Sequence, residues 1–303
     1  MSFALLFSGQ GTQHPAMLPW LADDDPLVRD LRARLGVADW RQSLADPGWA
    51  ERNDNAQTLL TGLTLAAWSQ VAPRVESPAA VAGYSVGELA AFSAAGVIAP
   101  DVALALAPQR AEAMDRCAAR SPGGLLAVSG LSAAKLKQLR AETGLALAIR
   151  IGEDSIILGG PEAALTEAQR IASLAAAQCT RLRVNVASHS PWMREAAESF
   201  ARTLAHVPFQ SPRVALFSNA ADRIRDAASA RSALAAQIAS TVRWDECMEN
   251  IMARQVRCVL EVGPGQALAR MWNQRYPSVP ARACDDFRSA QAIAAWLTSH
   301  ADE

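Results

Sequence analysis

Ala80-Val81-Ala82-Gly83-Tyr84-Ser85-Val86-Gly87-Glu88-Leu89-Ala90-Ala91-Phe92 sets one serine between two glycines, behind an apolar β-prone stretch and ahead of a helix-prone one. Strand, sharp turn and helix in that order predict a nucleophile elbow, a turn that pushes a hydroxyl out of the backbone at the positive end of a helix. Glycine suits positions 83 and 87 because side chains two residues before and two after the serine would collide in so tight a turn. The elbow predicts chemistry through a covalent ester at Ser85. A plainer assignment competes, with Ser85 an ordinary helix cap and Glu88 its capping-box partner. The two are compatible, since an elbow serine also stands at a helix start.

Upstream, Phe3 to Phe7 reads as a short buried strand that stops at Ser8-Gly9-Gln10-Gly11-Thr12-Gln13. Glycines directly after a first strand leave backbone N–H groups free to face developing negative charge. Leu59 to Val71 reads as a buried helix ahead of the Val81 strand. This order suits a parallel sheet whose ligands bind beyond the carboxyl ends of its strands.

From about Gly123 the pattern changes. Leu125–Val128 reads as a strand, Ser132–Thr143 as a helix, Ala146–Ile151 and Ser155–Leu158 as strands, Glu162–Ala177 as a helix and Thr180–Val184 as a strand. The order β-α-β-β-α-β is that of a ferredoxin-like module. The expected architecture is therefore α/β: an α/β-hydrolase-like parallel-sheet domain, residues 1–122 and 188–303, carrying an inserted ferredoxin-like domain at 123–187. Past the insert, helices are expected at Ser190–Leu204, Ala227–Thr241, Gln266–Asn273 and Ala290–Leu297. Strands are expected at Val214–Phe217 and Cys258–Val262, and fraying at Ser299–Glu303.

Composition narrows the function classes. A chain of 303 residues, 50% hydrophobic and 19% charged with a formal charge of -1, describes a compact globular protein. It has no basic surplus to neutralise a phosphate backbone, which argues against nucleic acid as a partner. Five scattered cysteines form neither a zinc pattern nor a disulfide framework, so no metal is expected and a reducing cytoplasm is favoured. The N-terminus lacks the features of a secretory signal, and no apolar run reaches membrane-spanning length.

A serine hydroxyl needs a base within hydrogen-bond reach. Among His14, His189, His206 and His300, the best placed is His189, in the polar loop Val186-Ala187-Ser188-His189-Ser190-Pro191 where the chain rejoins the main sheet. His14, after the first glycine loop, is the weaker alternative; His206 and His300 read as surface. The group that orients the imidazole stays open among Asp222, Asp245, Glu261 and a backbone or amide oxygen. Arg110 lies on an apolar helical segment where a guanidinium is costly unless paired. Either Glu112 or Asp115 neutralises it locally, or its fork is presented to a substrate carboxylate.

Taken together, Gly9-Gln10-Gly11-Thr12-Gln13, Gly83-Tyr84-Ser85-Val86-Gly87-Glu88, Gln109-Arg110, Ser188-His189-Ser190-Pro191, Val242-Arg243-Trp244 and Glu261-Val262-Gly263-Pro264-Gly265 resemble the malonyl-CoA:acyl-carrier-protein transacylase family, in order and over nearly the whole chain. Tyr84, where fatty-acid and polyketide members usually carry histidine, looks most like the epsilon subunit of malonate decarboxylase. The resemblance implies that Ser85 takes malonyl from malonyl-CoA, that His189 activates it, and that the N–H groups of Gln10 and Val86 form an oxyanion hole. It further implies that a main-chain carbonyl at or beside Arg243 orients His189, that Arg110 grips the malonyl carboxylate, and that Gln57 lines the pocket. The implied partners are malonyl-CoA and an acyl carrier protein with a CoA-derived thiol, with other malonate decarboxylase subunits besides; no cofactor is held tightly. Ile151-Gly152-Glu153-Asp154-Ser155 departs from the asparagine-containing turn common in the family, a change compatible with an unusual carrier. The alternatives are a transacylase of fatty-acid or polyketide synthesis, a serine hydrolase or thioesterase, and a non-catalytic subunit with a relic elbow.

Overall fold

The computed structural model describes residues 2–11 and 13–301. Thr12 of the first glycine loop, and Asp302 and Glu303 of the tail expected to fray, lie outside the described residues; Ser299 to Ala301 continue the last helix, Ala290–Ala301.

The strands in chain order are β1 (Phe3–Phe7), β2 (Ala80–Gly83), β3 (Gly123–Ser129), β4 (Ala146–Arg150), β5 (Ser155–Pro161), β6 (Gln178–Arg181), β7 (Ala215–Phe217), β8 (Arg223–Ile224), β9 (Val242–Arg243), β10 (Cys258–Val262) and β11 (Ala281–Ala283). The larger sheet runs β11-β10-β1-β2-β7-β8, parallel throughout except for the antiparallel edge strand β8. Its central strands are apolar at nearly every position and buried on both faces, as a parallel sheet covered by helices requires. Each fully buried leucine or phenylalanine there contributes about 1.5–3 kcal/mol.

The smaller sheet runs β6-β3-β5-β4-β9. The first four strands are antiparallel neighbours, and the helices Ala133–Thr143 and Glu162–Leu174 fill the order β-α-β-β-α-β read from the sequence. Leu126, Leu136, Leu139, Leu158 and Leu165 form part of a separate apolar core beneath it. The fifth strand, β9, was not expected: it comes from the far C-terminal half and pairs parallel to β4 through Ile149 and Arg150. Two residues of strand carry too little pattern to be read in advance.

Several helix limits also shift. The helix read from Leu59 begins at Asn53, the one read to Thr241 ends at Ala236, and the one read to Ala177 ends at Leu174. Among the described residues no helix is long and apolar enough to cross a membrane.

Two close approaches fix where the elbow sits. A Cβ at Gly87 would lie 2.3 Å from the carbonyl oxygen of Phe7, and one at Gly83 would lie 2.3 Å from the backbone of Gly87. The helix Gly87–Ala94 thus presses directly on the end of β1, and this brings the Gly9–Gly11 loop beside Ser85. Gly87→Ala is expected to destabilise the protein by about 1–3 kcal/mol, because both partners are backbone and neither can yield. An unchanged chemical-denaturation midpoint would contradict this packing.

Candidate active site

Ser85 stands between β2 and the helix Gly87–Ala94 with φ of 57°, in the left-handed region rarely adopted by residues other than glycine. Such a conformation costs roughly 1–3 kcal/mol and persists only where the surroundings impose it. His189 has the same strained backbone, φ 59°, and is buried. Its Nε2 lies 2.7 Å from Ser85 Oγ. The helix-cap assignment for Ser85 fails, since the helix has no side-chain cap and the Ser85 hydroxyl is directed to His189.

The carbonyl that accepts from His189 Nδ1 belongs to Gln237, at 2.6 Å. This corrects the expectation for Arg243. Arg243 sits on β9 opposite Arg150 of β4, its N–H donates to Asn219 O and its guanidinium pairs with Glu246. Nor does any of the three carboxylates take the role. Asp222 accepts from Asn250, Asp245 pairs with Arg150, and Glu261 accepts from Ser8 Oγ and Ala269 N. A proton donated from Nδ1 to a carbonyl leaves Nε2 as the lone-pair nitrogen, in the tautomer able to accept the Ser85 proton.

Electrostatics favour the same state. Burial, and then the nearby Arg110 cation, push the His189 imidazole down to about 3, against the smaller opposing effect of its bond to Gln237. The imidazole is therefore neutral at neutral pH and ready to accept. The rate of acylation is expected to show no inflection near 6.5, the ordinary imidazole value, when followed by rapid quench from pH 5 to 8. A rate that halves on acidification through 6.5 would show that His189 titrates normally.

Arg110 is fully buried on the helix Pro100–Arg120. Neither local carboxylate neutralises it: Glu112 pairs with Arg116, and Asp115 accepts from Asn53. Instead the guanidinium donates to Gln57 Oε1 at 2.7 Å and to Gln237 Oε1 at 3.2 Å, while Nε has no partner among the described residues. Desolvation lowers its affinity for the proton to about 10, which Glu88 partly offsets, so it stays charged. A buried cation held only by neutral amide oxygens can accept an anion in their place.

These groups share one cavity of about 370 Å³, lined by Ser85, His189, Arg110, Gln57 and Gln10 and walled by Leu125, Ile149 and Ile157 of the smaller sheet. Within the elbow, the N–H groups of Ser85, Gly87 and Glu88 all meet acceptors. Val86 N–H meets none among the described residues, and neither does that of Gln10. His14 stands apart, exposed and paired with Asp285 at 3.1 Å.

Sequence reasoning missed Gln237, Asn219 and the true role of Glu88. Asn219 Oδ1 accepts from Ser85 N at 2.8 Å, its Nδ2 donates to Gly83 O at 2.7 Å, and its own N–H donates to Glu88 Oε1 at 2.6 Å. A polar pair, Ser218-Asn219, directly after the apolar strand β7 at the carboxyl edge of a parallel sheet was the available signal. A backbone carbonyl such as that of Gln237 leaves none.

Chemically, a hydroxyl hydrogen-bonded to a neutral imidazole, free N–H groups close by and a buried guanidinium in the same cavity can form and release an ester of an anionic acyl group. The model of the acyl transferase domain matches residues 4–302. The malonyl CoA-acyl carrier protein transacylase of Mycobacterium bovis is 33% identical over 296 residues, covering 92% of this chain and 95% of that protein. Among solved structures, the acyl-carrier-protein S-malonyltransferase of Burkholderia pseudomallei superposes with a TM-score of 0.87 at 28% identity, covering 97% of this chain and all (100%) of that one. A malonyl-transacylase solved in complex with a type II PKS acyl-carrier protein superposes with a TM-score of 0.88 at 26% identity, covering 99% and 100%. With residues 4–302 matched by the family model and a relative 33% identical over 92% of its length, the chain belongs to the acyl transferase family, among the malonyl-CoA:acyl-carrier-protein transacylases.

Proposed function

We propose that the protein is a malonyl-CoA:acyl-carrier-protein transacylase that carries malonyl as an ester on Ser85. The observation that carries this reading is the meeting of Ser85, neutral His189 and buried Arg110 in one cavity. His189 Nε2 takes the Ser85 proton as Oγ attacks the thioester carbonyl, and returns a proton to the departing thiolate. Gln10 and Val86 N–H groups receive the oxyanion, and Arg110 holds the far carboxylate with Gln57 beside it. The carrier thiol then enters by the reverse of these steps. Residues 123–187 act as the wall of the cleft, and the reaction takes place in the cytoplasm.

The relatives quoted above favour the transacylase of fatty-acid or polyketide synthesis over a malonate decarboxylase subunit. The second reading rests on Tyr84. Its ring packs edge-on against Trp244, centroids 5.1 Å apart, and closes the space over Gly9, where a Cβ would lie 2.7 Å from the ring. Under that reading the carrier bears a dephospho-CoA-like group and other decarboxylase subunits are partners.

Intact-mass analysis after exposure to malonyl-CoA tests both. A malonyl adduct on Ser85 that survives in water and leaves on addition of a carrier is expected. Loss to water alone would make the protein a hydrolase, and no adduct would make the elbow a relic. The carrier that discharges the adduct faster, phosphopantetheine-bearing or dephospho-CoA-type, separates the two readings.

A further inference from the structure

The elbow is held by more than its glycines. Ser85 could relax towards ordinary backbone angles by rotating the peptide that precedes it; its N–H, and the carbonyl of Gly83 one peptide upstream, are pinned by one side chain, 134 residues from Ser85 in sequence. We propose that Asn219 is the positioning residue of the elbow: its carboxamide brackets the turn, accepting from Ser85 N–H and donating to Gly83 O, and Glu88 locks Asn219 in that pose. This deepens the proposed function and rests on Ser85 being the acylated residue.

The chemistry of the side chain fits the task. A carboxamide offers an acceptor and a donor on a single planar carbon, which matches one N–H and one C=O presented by the same turn, at 2.8 and 2.7 Å. Aspartate keeps the acceptor and loses the donor. Glu88 lies one helical turn beyond the serine and is wholly buried. Its Oε1 receives the Asn219 N–H at 2.6 Å, so the helix that begins at the elbow reaches back to fix the clamp that shapes it. Burial raises the Glu88 carboxyl to about 8, so a neutral amide in its place preserves the acceptor.

The clamp also decides which amide is left over. By accepting from Ser85 N–H, Asn219 removes that donor from the site. Gly87 and Glu88 N–H are taken by the turn itself, bonding Tyr84 O and Ser85 O. Of the elbow amides, Val86 N–H is left without an acceptor among the described residues, and it is the one assigned, with Gln10 N–H, to the oxyanion. Loss of the clamp would free Ser85 N–H, let its φ move, and displace Oγ from His189 and Val86 N–H from the acyl oxygen together. Displacements of about 1 Å at reacting atoms cost about 100-fold in rate.

The test is rapid-quench acylation by malonyl-CoA, read by intact mass, on the full chain. Asn219→Ala is expected to acylate about 100-fold more slowly, with KM for malonyl-CoA within about threefold of native and near-native circular dichroism. Glu88→Gln should stay within a few-fold of native, while Glu88→Ala falls as Asn219→Ala does. If Asn219→Ala does not fold, Asn219→Asp serves, with the same kind of fall expected. A native rate in the Asn219 variant, per folded molecule, overturns the clamp, and so does equal activity of the two Glu88 variants. Absence of a Ser85 adduct on the native chain removes the proposed function instead, before the variants are compared.

Discussion

Ser85→Ala abolishes the malonyl adduct and lowers transfer to the carrier by roughly 10⁴–10⁶-fold, the largest effect expected of any single change in the chain. The alanine leaves the cavity, Arg110 and the free N–H groups in place, so affinity for malonyl-CoA should change little. His189→Ala should be nearly as severe, because the serine hydroxyl is 2.7 Å from His189 Nε2, the nitrogen placed to take its proton. The two act as a unit, and the double variant is expected to be no slower than either single one. Steady-state transfer and intact mass together check this. A double variant slower than each single by the product of their effects would show that serine and histidine contribute separately, which the geometry forbids.

Arg110→Ala is expected to lower kcat/KM for malonyl-CoA by about 2–5 kcal/mol, from about 30-fold to several thousand-fold. Activity with acetyl-CoA should be spared. The guanidinium already donates to two glutamine oxygens; a carboxylate replaces neutral acceptors with a full opposite charge in a buried site, where such bonds are strongest. Acetyl-CoA has nothing to offer there. A second consequence has a definite sign. Arg110 is one cause of the depressed proton affinity of His189, so its removal raises that affinity and makes the imidazole a stronger base. Reaction with an uncharged acyl donor should hold or rise while that with malonyl falls, and kinetics run side by side on the two thioesters would expose a parallel loss in both as evidence against the fork.

The parts of this site that were legible in the sequence share a cause. Gly83 and Gly87 stand where only a hydrogen fits, and they announced the turn because the collision they avoid is local. His189 emerged because few histidines exist and one lies where the chain re-enters the main sheet. The smaller sheet was readable as helices set among strands, since its strands are bounded by turns, Ser132 caps one helix and the other, Glu162–Leu174, is amphipathic. What stayed hidden depends on long-range geometry. Gln237 serves His189 through a main-chain oxygen, which any residue could supply; the family resemblance implied such a carbonyl but placed it at or beside Arg243, six positions away. Glu88 fits the spacing of a capping box so well that its true partner, Asn219 on a distant loop, had no way to declare itself. Arg110 was readable as a buried charge, yet its partners proved to be amides from two other helical regions, not neighbouring carboxylates.

The strand β9 ties the two sheets mechanically. It leaves the body of the molecule just after Gln237, the residue that orients His189, and adds itself to the edge of the smaller sheet, where Arg150 of β4 also grips Asp245 and Glu246. A flap hung only by its two chain crossings could swing. This one is riveted along a third side, by a segment that leads straight from the catalytic histidine's support. The smaller sheet is therefore joined to the body by strand pairing and ion pairs as well as by its two chain crossings, and opening the gap between the sheets would have to break that third seam.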